Sequence, residues 1–225
     1  MINPSNAVYE RAPCVQATET LQALGFKVRE APNLRARYGQ FGGTDAQRAG
    51  DVNAMFADPG VQGILALTGG SGGNRVLPLL DDELIARTPK FLGGFSDLTA
   101  LLNAVHTRTG LVTFHCPMGA SEFNSFSVKW LRGAVIEAQA QTLANEAEKK
   151  DNLVPRGGRI TTLRGGRARG PLVGGNLAVL SAMAGSAYWP RFDGGIRRKF
   201  TLPIGLDVEL DADAGTIRYL QPAVV

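Results

Sequence analysis

Apolar and polar positions repeat along the chain with two periods, and the switches between them divide it into strands and helices. Val15, Leu21 and Leu24 share one face of a helix that ends at Gly25. Phe26-Lys27-Val28 then reads as a short alternating strand. After a loop holding Tyr38, Gly39, Gly42 and Gly43, Thr44 stands where it can cap a helix running to about Phe56. Gln47 completes a capping box, and Asp58-Pro59-Gly60 ends the helix. Gly63-Ile64-Leu65-Ala66-Leu67 is continuously apolar, as a strand buried on both faces should be, and it stops at Thr68-Gly69-Gly70-Ser71-Gly72-Gly73. Phe91 and Leu92 end a second such strand, Gly93 and Gly94 permit a sharp reversal, and Leu98 to Val105 carries a helical pattern. Leu111 to His115 reads as a third strand. Strands alternating with helices give a mostly parallel sheet with helices on both faces.

The pattern loosens after Met118. Val128 to Leu143 reads as a helix, and residues 145–169, with the charged run Glu146 to Asp151 and several Arg-Gly and Gly-Gly pairs, read as a linker. Gly174-Gly175-Asn176-Leu177 opens an apolar helix to Met183. Thr201 to Leu206 and Thr216 to Leu220 read as β-strands, with a turn over Asp211 to Gly215 between strands. The expected architecture is α/β: a mostly parallel domain over residues 1–144, a linker over 145–169, and a smaller β-rich C-terminal domain over 170–225.

Composition narrows the function classes. At 44% hydrophobic and 20% charged residues, the chain has the balance of a globular protein able to bury a core. The net charge of +4 is scattered except around Arg156 to Arg169 and Arg197 to Lys199. Those runs are short and glycine-rich, without the stacking aromatics of a nucleic-acid reader, so no nucleic-acid partner is expected. Cys14 and Cys116 lie far apart and lack CxxC spacing. No stretch is apolar and long enough to span a membrane, and Met-Ile-Asn-Pro-Ser-Asn lacks the features of a signal peptide. A cytoplasmic location is expected, with the periplasm as the alternative if an N-terminal signal has been removed.

Three local patterns invite chemistry. The glycine run 69–73 suggests a phosphate loop, but no Gly-Lys-Ser/Thr follows and Pro78 interrupts the next helix. Its glycines fit a backbone that approaches a ligand closely. Asp211 to Gly215 lacks the spacing and distal Glu of a calcium loop and fits a solvated hairpin turn. No metal or other cofactor is expected. Ser96 falls on a strand-to-helix turn, where a serine can project its hydroxyl over a sheet while N–H groups face a developing oxyanion. Leu98 replaces the last glycine of the hydrolase elbow pattern, and spacing alone favours Ser96 or Asp97 as a simple helix cap.

Taken together, Gly69 to Pro78, Pro89 to Leu101, Thr113 to Met118, Gly174 to Leu177 and Thr201 to Gly205 resemble, in order, blocks of the LD-carboxypeptidase family of serine peptidases. The family includes muramoyl-tetrapeptide carboxypeptidases and microcin-immunity peptidases. The resemblance implies an N-terminal α/β domain with the nucleophile, a β-rich C-terminal domain and an active site between them. It implies removal of a C-terminal D-amino acid from murein tetrapeptides in cell-wall recycling, with no cofactor. On this basis Ser96 is the nucleophile, and the N–H groups of Gly70 and Asp97 take the oxyanion. Ser71, His115 and Asn176 are substrate-contact candidates, and a homodimer stays open. Thr68, Ser71 and Cys116 replace the Arg, Tyr and Gly usual at their positions.

After Ile196 the resemblance skips. The family's Glu-bearing strand and its Gly-His pair are missing, and Ile196 passes directly to Arg197, which already resembles the stretch beyond that histidine. An internal segment is therefore absent at this junction, whether deleted from the protein or left out of the sequence. The remaining histidines are His106, in the helix after Ser96, and His115, at a strand end, while Asp207 and Glu209 read as solvated. Two function classes follow: a serine LD-carboxypeptidase, or a catalytically silent peptide-binding relative that keeps the cleft without the relay.

Overall fold

The computed structural model describes residues 1–144, 153–154, 160–190 and 202–224. Three short parallel strands organise it: β1 (Gly63–Leu65), β2 (Phe91–Gly94) and β3 (Thr113–His115). Strand β6 (Leu202–Ile204) closes this sheet antiparallel to β3, in the order β1-β2-β3-β6. At the other edge Ile2 bridges to Ala66, its N–H donating to the Leu65 carbonyl and its carbonyl accepting from Leu67.

Helices cover both faces because the strands are apolar on both. Ile64 and Leu92 point into a core shared with Val52 and Phe56 of α2 (Asp45–Ala57) and Leu101 and Leu102 of α5 (Thr99–Thr109). Leu65 and Phe114 point the other way, onto Cys14, Ala17 and Leu21 of α1 (Ala12–Ala23) and Leu131 of α6 (Ser125–Leu131). Between β1 and β2 run α3 (Gly73–Val76), a 3-10 turn over Leu77–Leu79, and α4 (Asp82–Arg87). Each buried Leu, Ile or Phe contributes about 1.5–3 kcal/mol.

A second, antiparallel sheet combines β4 (Thr142–Ala144), β5 (Arg167–Pro171), β7 (Asp207–Asp211) and β8 (Thr216–Tyr219) in the order β4-β8-β7-β5. Leu143, Val208, Ile217 and Tyr219 on its inner face pack with Trp130 of α6 and Leu202 of β6. On the outer face Arg167 pairs with Asp211, and both Arg169 and Arg218 with Glu209. The pairing with these arginines holds the Glu209 carboxyl below its ordinary pKa. Glu209, read as solvated, is instead only 14% exposed, covered by the two arginines of a cross-strand charge ladder.

Several expected elements hold and others shift. Thr44 and Gln47 make the capping box, Asn176 caps α7 (Leu177–Met183), and the Asp211–Gly215 turn closes the β7–β8 hairpin. Phe26-Lys27-Val28 is not a strand; the Phe26 N–H bonds back to the Leu21 carbonyl, finishing α1, and among the described residues no strand pairs with it. The helix expected from Val128 to Leu143 begins at Ser125, widens into a π turn over Arg132–Ile136 and ends, because Leu143 is drawn into the third core as part of β4. Arg167 to Arg169, read as linker, are strand residues of β5. The junction Ile196–Arg197 lies outside the described residues. Among the described residues no helix is long and apolar enough to cross a membrane.

Candidate active site

Strand β2 ends at Gly94, Phe95 is still extended, and Ser96 turns to φ +60° before the 3-10 turn Ser96–Leu98 leads into α5. A left-handed conformation at a residue with a Cβ is uncommon and stores strain. It lifts the Ser96 side chain off the helix, so that neither Ser96 nor Asp97 caps α5. The Ser96 hydroxyl has no protein hydrogen-bond partner among the described residues.

The glycine loop after β1 lies directly against this serine. An atom at the Cβ position of Gly69 would sit 3.2 Å from Ser96 Oγ and 3.4 Å from Met118 Cε. Gly70 follows at φ +129°, and a Cβ there would overlap the Asn6 side chain at 2.2 Å. The loop is tied down residue by residue. Asn6 N–H donates to the Gly69 carbonyl at 3.3 Å, and Ser71 N–H donates to Asn6 Oδ1 at 2.9 Å. The Gly72 carbonyl accepts from Arg48 at 3.0 Å. Asp97, only 4% exposed, joins the loop to the elbow: its Oδ2 accepts from Gly73 N–H at 2.7 Å and from the Ser5 hydroxyl at 2.6 Å. The N–H groups of Gly70 and Asp97 have no protein partner among the described residues.

His115 ends β3 opposite Gly94 and stands 6.1 Å from the Phe95 ring, centre to centre. It lines a cavity of about 470 Å³ together with Thr68, Phe95, Met118 and Ser121. Burial lowers its pKa below the ordinary 6.5 and favours the neutral ring. In the unfolded chain the imidazole regains its ordinary affinity, so between the lowered native pKa and 6.5 the unfolded state binds more protons. Stability therefore rises with pH across that window and falls as the solution is acidified. Thermal unfolding from pH 7.5 to 5 should show this slope, and His115→Gln should flatten it. An unchanged slope in the variant would assign the effect elsewhere.

The other candidates are committed to structure. The Ser71 hydroxyl lies 3.1 Å from Asn6 Oδ1. Asn176 Oδ1 accepts from the N–H groups of Ala178 and Val179, while its own N–H donates to Thr99 Oγ1. Asn103 Nδ2 donates to the Gly174 carbonyl, so the Gly174–Asn176 turn is seated on the first turns of the elbow helix. His106 Nδ1 bonds to the Leu111 carbonyl at 3.1 Å, and its ring lies against Gly205. Ten residues beyond Ser96 along a chain that rises ~1.5 Å per residue once helical, it is held at the far end of α5 from the serine. Burial pushes the Cys116 thiol up to about 12, making it an inert core group. Among the described residues no three His, Cys, Asp or Glu groups converge on a common point.

Sequence reasoning missed Ser5, Asn6 and Arg48, the groups that hold the loop. Arg48 had a readable signal: it shares the face of α2 that buries Val52 and Met55, so it is a cation at a core position.

This geometry, a strained serine facing a pinned glycine loop, lies within the part of the chain that a family model matches. A family model described as the LD-carboxypeptidase N-terminal domain matches residues 1–116. The chain is 36% identical to the probable murein peptide carboxypeptidase of Bacillus subtilis (strain 168), covering 75% of this chain and 51% of that protein. It is 32% identical to the murein tetrapeptide carboxypeptidase of Pseudomonas aeruginosa, covering 83% and 60%. The chain thus spans between half and two thirds of the length of these relatives. In fold it superposes on an MccF-like protein from Bacillus anthracis with a TM-score of 0.84 at 20% identity, over 98% of this chain and 95% of that one. With a family match that runs through the glycine loop and the Ser96 elbow and relatives more than 30% identical, the chain belongs to the LD-carboxypeptidase family.

Proposed function

We propose that the protein is a serine LD-carboxypeptidase that releases a C-terminal D-amino acid from murein tetrapeptides. The observation that carries this reading is the Ser96 hydroxyl, without a protein partner among the described residues and set by a left-handed turn against the glycine loop. Ser96 Oγ attacks the carbonyl of the L,D-peptide bond, and the new C–O bond yields a tetrahedral oxyanion facing the N–H groups of Gly70 and Asp97. Collapse breaks the C–N bond, the D-amino acid leaves with a proton, and water releases the acyl group from Ser96. The cavity lined by His115 receives part of the peptide, while Ser71 and Asn176, which do not line that cavity, are contacts for the rest of it. The reading carries a cytoplasmic location, with the periplasm as the alternative.

The step requires a base. Neither histidine of the chain is hydrogen-bonded to Ser96, and an unassisted serine is nearly inert at neutral pH. In this proposal the Glu and His relay belongs to a segment joining between Ile196 and Arg197. The same observation favours a second reading, a silent peptide-binding relative with an intact cleft. The intact mass of the purified protein, set against 23.9 kDa, together with an assay for D-alanine released from an L,D-tetrapeptide, separates them. A heavier chain that releases D-alanine supports the peptidase. A matching mass without turnover supports the binding protein. A matching mass with turnover through Ser96 overturns the relay assignment and moves the base to His115 or a neighbouring subunit.

A further inference from the structure

We propose that Arg48 is a positioning residue for the oxyanion hole, holding the glycine loop so that Gly70 keeps its N–H aimed at the reacting carbonyl. This rests on the serine-peptidase reading above. Arg48 is a long cation with its side chain wholly buried, in the middle of the face that α2 turns to the core. Such burial costs several kcal/mol unless the charge is paired and its donors are used, and here the spending is directed at backbone. One guanidinium nitrogen, Nη1, donates both to the Pro4 carbonyl and to the Gly72 carbonyl at 3.0 Å. A second, Nη2, pairs with Asp45, and the third, Nε, is buried without a hydrogen-bond partner among the described residues. The guanidinium lies over the Phe41 ring at 4.9 Å, and that ring lies against Gly72, where a Cβ would meet it at 2.6 Å.

Asp45 is itself fixed. Arg75 grips it through Nε at 3.0 Å and Nη2 at 2.8 Å, and Arg75 also lies over Phe41 at 5.2 Å. The result is a frame of two arginines, one carboxylate and one ring, attached to the catalytic region at two backbone points. Pro4 precedes Ser5 and Asn6, the residues that hold Asp97 and Ser71. Gly72 lies two residues beyond Gly70. Arg48 therefore fixes the same loop from behind that Asp97 fixes from the elbow side, without touching substrate. A lysine cannot reproduce this, because an ammonium lacks the planar fork that serves carbonyls and carboxylate at once.

The test uses the full-length protein, with Arg48→Met, Arg48→Lys and Asp45→Asn. Three readings are taken on variants whose thermal unfolding shows a folded state: kcat and KM on an L,D-tetrapeptide, affinity for a peptidyl boronic acid that mimics the tetrahedral state, and the amide NMR signal of Gly70. Displacing an oxyanion donor by about 1 Å costs about 100-fold. Arg48→Met should therefore lower kcat by about 100-fold and weaken the boronate in parallel, with KM within about twofold of wild type. Its Gly70 signal should broaden or shift, and Arg48→Lys should fall between. If Arg48→Met does not fold, Asp45→Asn, which loosens the guanidinium while leaving it in place, should give the same pattern in milder form. Unchanged kcat, boronate affinity and Gly70 signal in a folded variant would overturn the proposal, as would a KM that rises as far as kcat falls. If wild-type protein releases no D-amino acid, the peptidase reading fails by itself. The Gly70 signal still decides whether Arg48 positions the loop.

Discussion

Ser96→Ala should reduce D-amino acid release by about 10⁶-fold, the loss seen when a serine peptidase loses its nucleophile. Binding of the uncleaved peptide should stay within about twofold, since the hydroxyl contributes to the transition state and not to the ground state. The backbone supplies an independent check. Ser96 holds φ +60°, a conformation that costs a residue with a Cβ about 1–3 kcal/mol and that glycine adopts freely. Ser96→Gly should therefore match or exceed the wild type in stability while being equally inactive, although glycine elsewhere in regular structure costs about 0.5–1 kcal/mol. Urea unfolding and a D-alanine assay on the three proteins provide both numbers. A Ser96→Ala protein that still turns over the tetrapeptide would remove the nucleophile assignment. A Ser96→Gly protein clearly less stable than wild type would remove the strain argument.

Asp97→Ala should be the most destabilising single change at the site. The carboxylate accepts from Gly73 N–H and the Ser5 hydroxyl in a buried setting, and charged hydrogen bonds of this kind contribute about 1.5–3 kcal/mol each. Losing both, with two buried donors left unpaired, gives an expected loss of about 3–5 kcal/mol. The urea midpoint should fall with little change in slope. Ser5→Ala should cost less, and the double variant should cost less than the sum, because both substitutions break the same bond. A loss for Asp97→Ala below about 1 kcal/mol would mean that the three-way junction does not hold the loop to the elbow.

The contrast between these two residues explains what could be read from the chain. Ser96 is visible locally: an apolar strand, two glycines and a helical pattern place it on a turn before any partner is known. Thr44 with Gln47, Asn176 and the Asp211–Gly215 turn are visible for the same reason, since each acts within four residues of itself. Asp97 is equally local in position, but its work is not. Ser5 lies 92 positions away and Arg48 acts across 44, and neither separation leaves a trace in periodicity. The misplaced elements fail on the same ground. Phe26-Lys27-Val28 has a strand's alternation without a strand to pair with, and Leu143 has a helix's spacing but is buried beside Ile217. The alternation of strands and helices already puts the glycine loop and the elbow at the carboxyl ends of strands, on one edge of the sheet.

Strand β6 has a consequence for how the molecule is made. It lies far downstream of β3 in the chain, yet it completes the sheet that bears the serine, pairing Leu202–Ile204 with Thr113–His115. Until it emerges from the ribosome, β3 carries an unpaired row of N–H and C=O groups, an edge open to pairing with other chains. Closing so long a loop also slows folding, because its entropy is lost before the contacts that reward it form. Leu202 sits in the same core as Leu143, Val208 and Ile217, so the strand that seals the first sheet is anchored by the second. The sheet that carries Ser96 is therefore completed only when a strand far downstream has been made, and a nascent chain halted before it exposes a sticky edge.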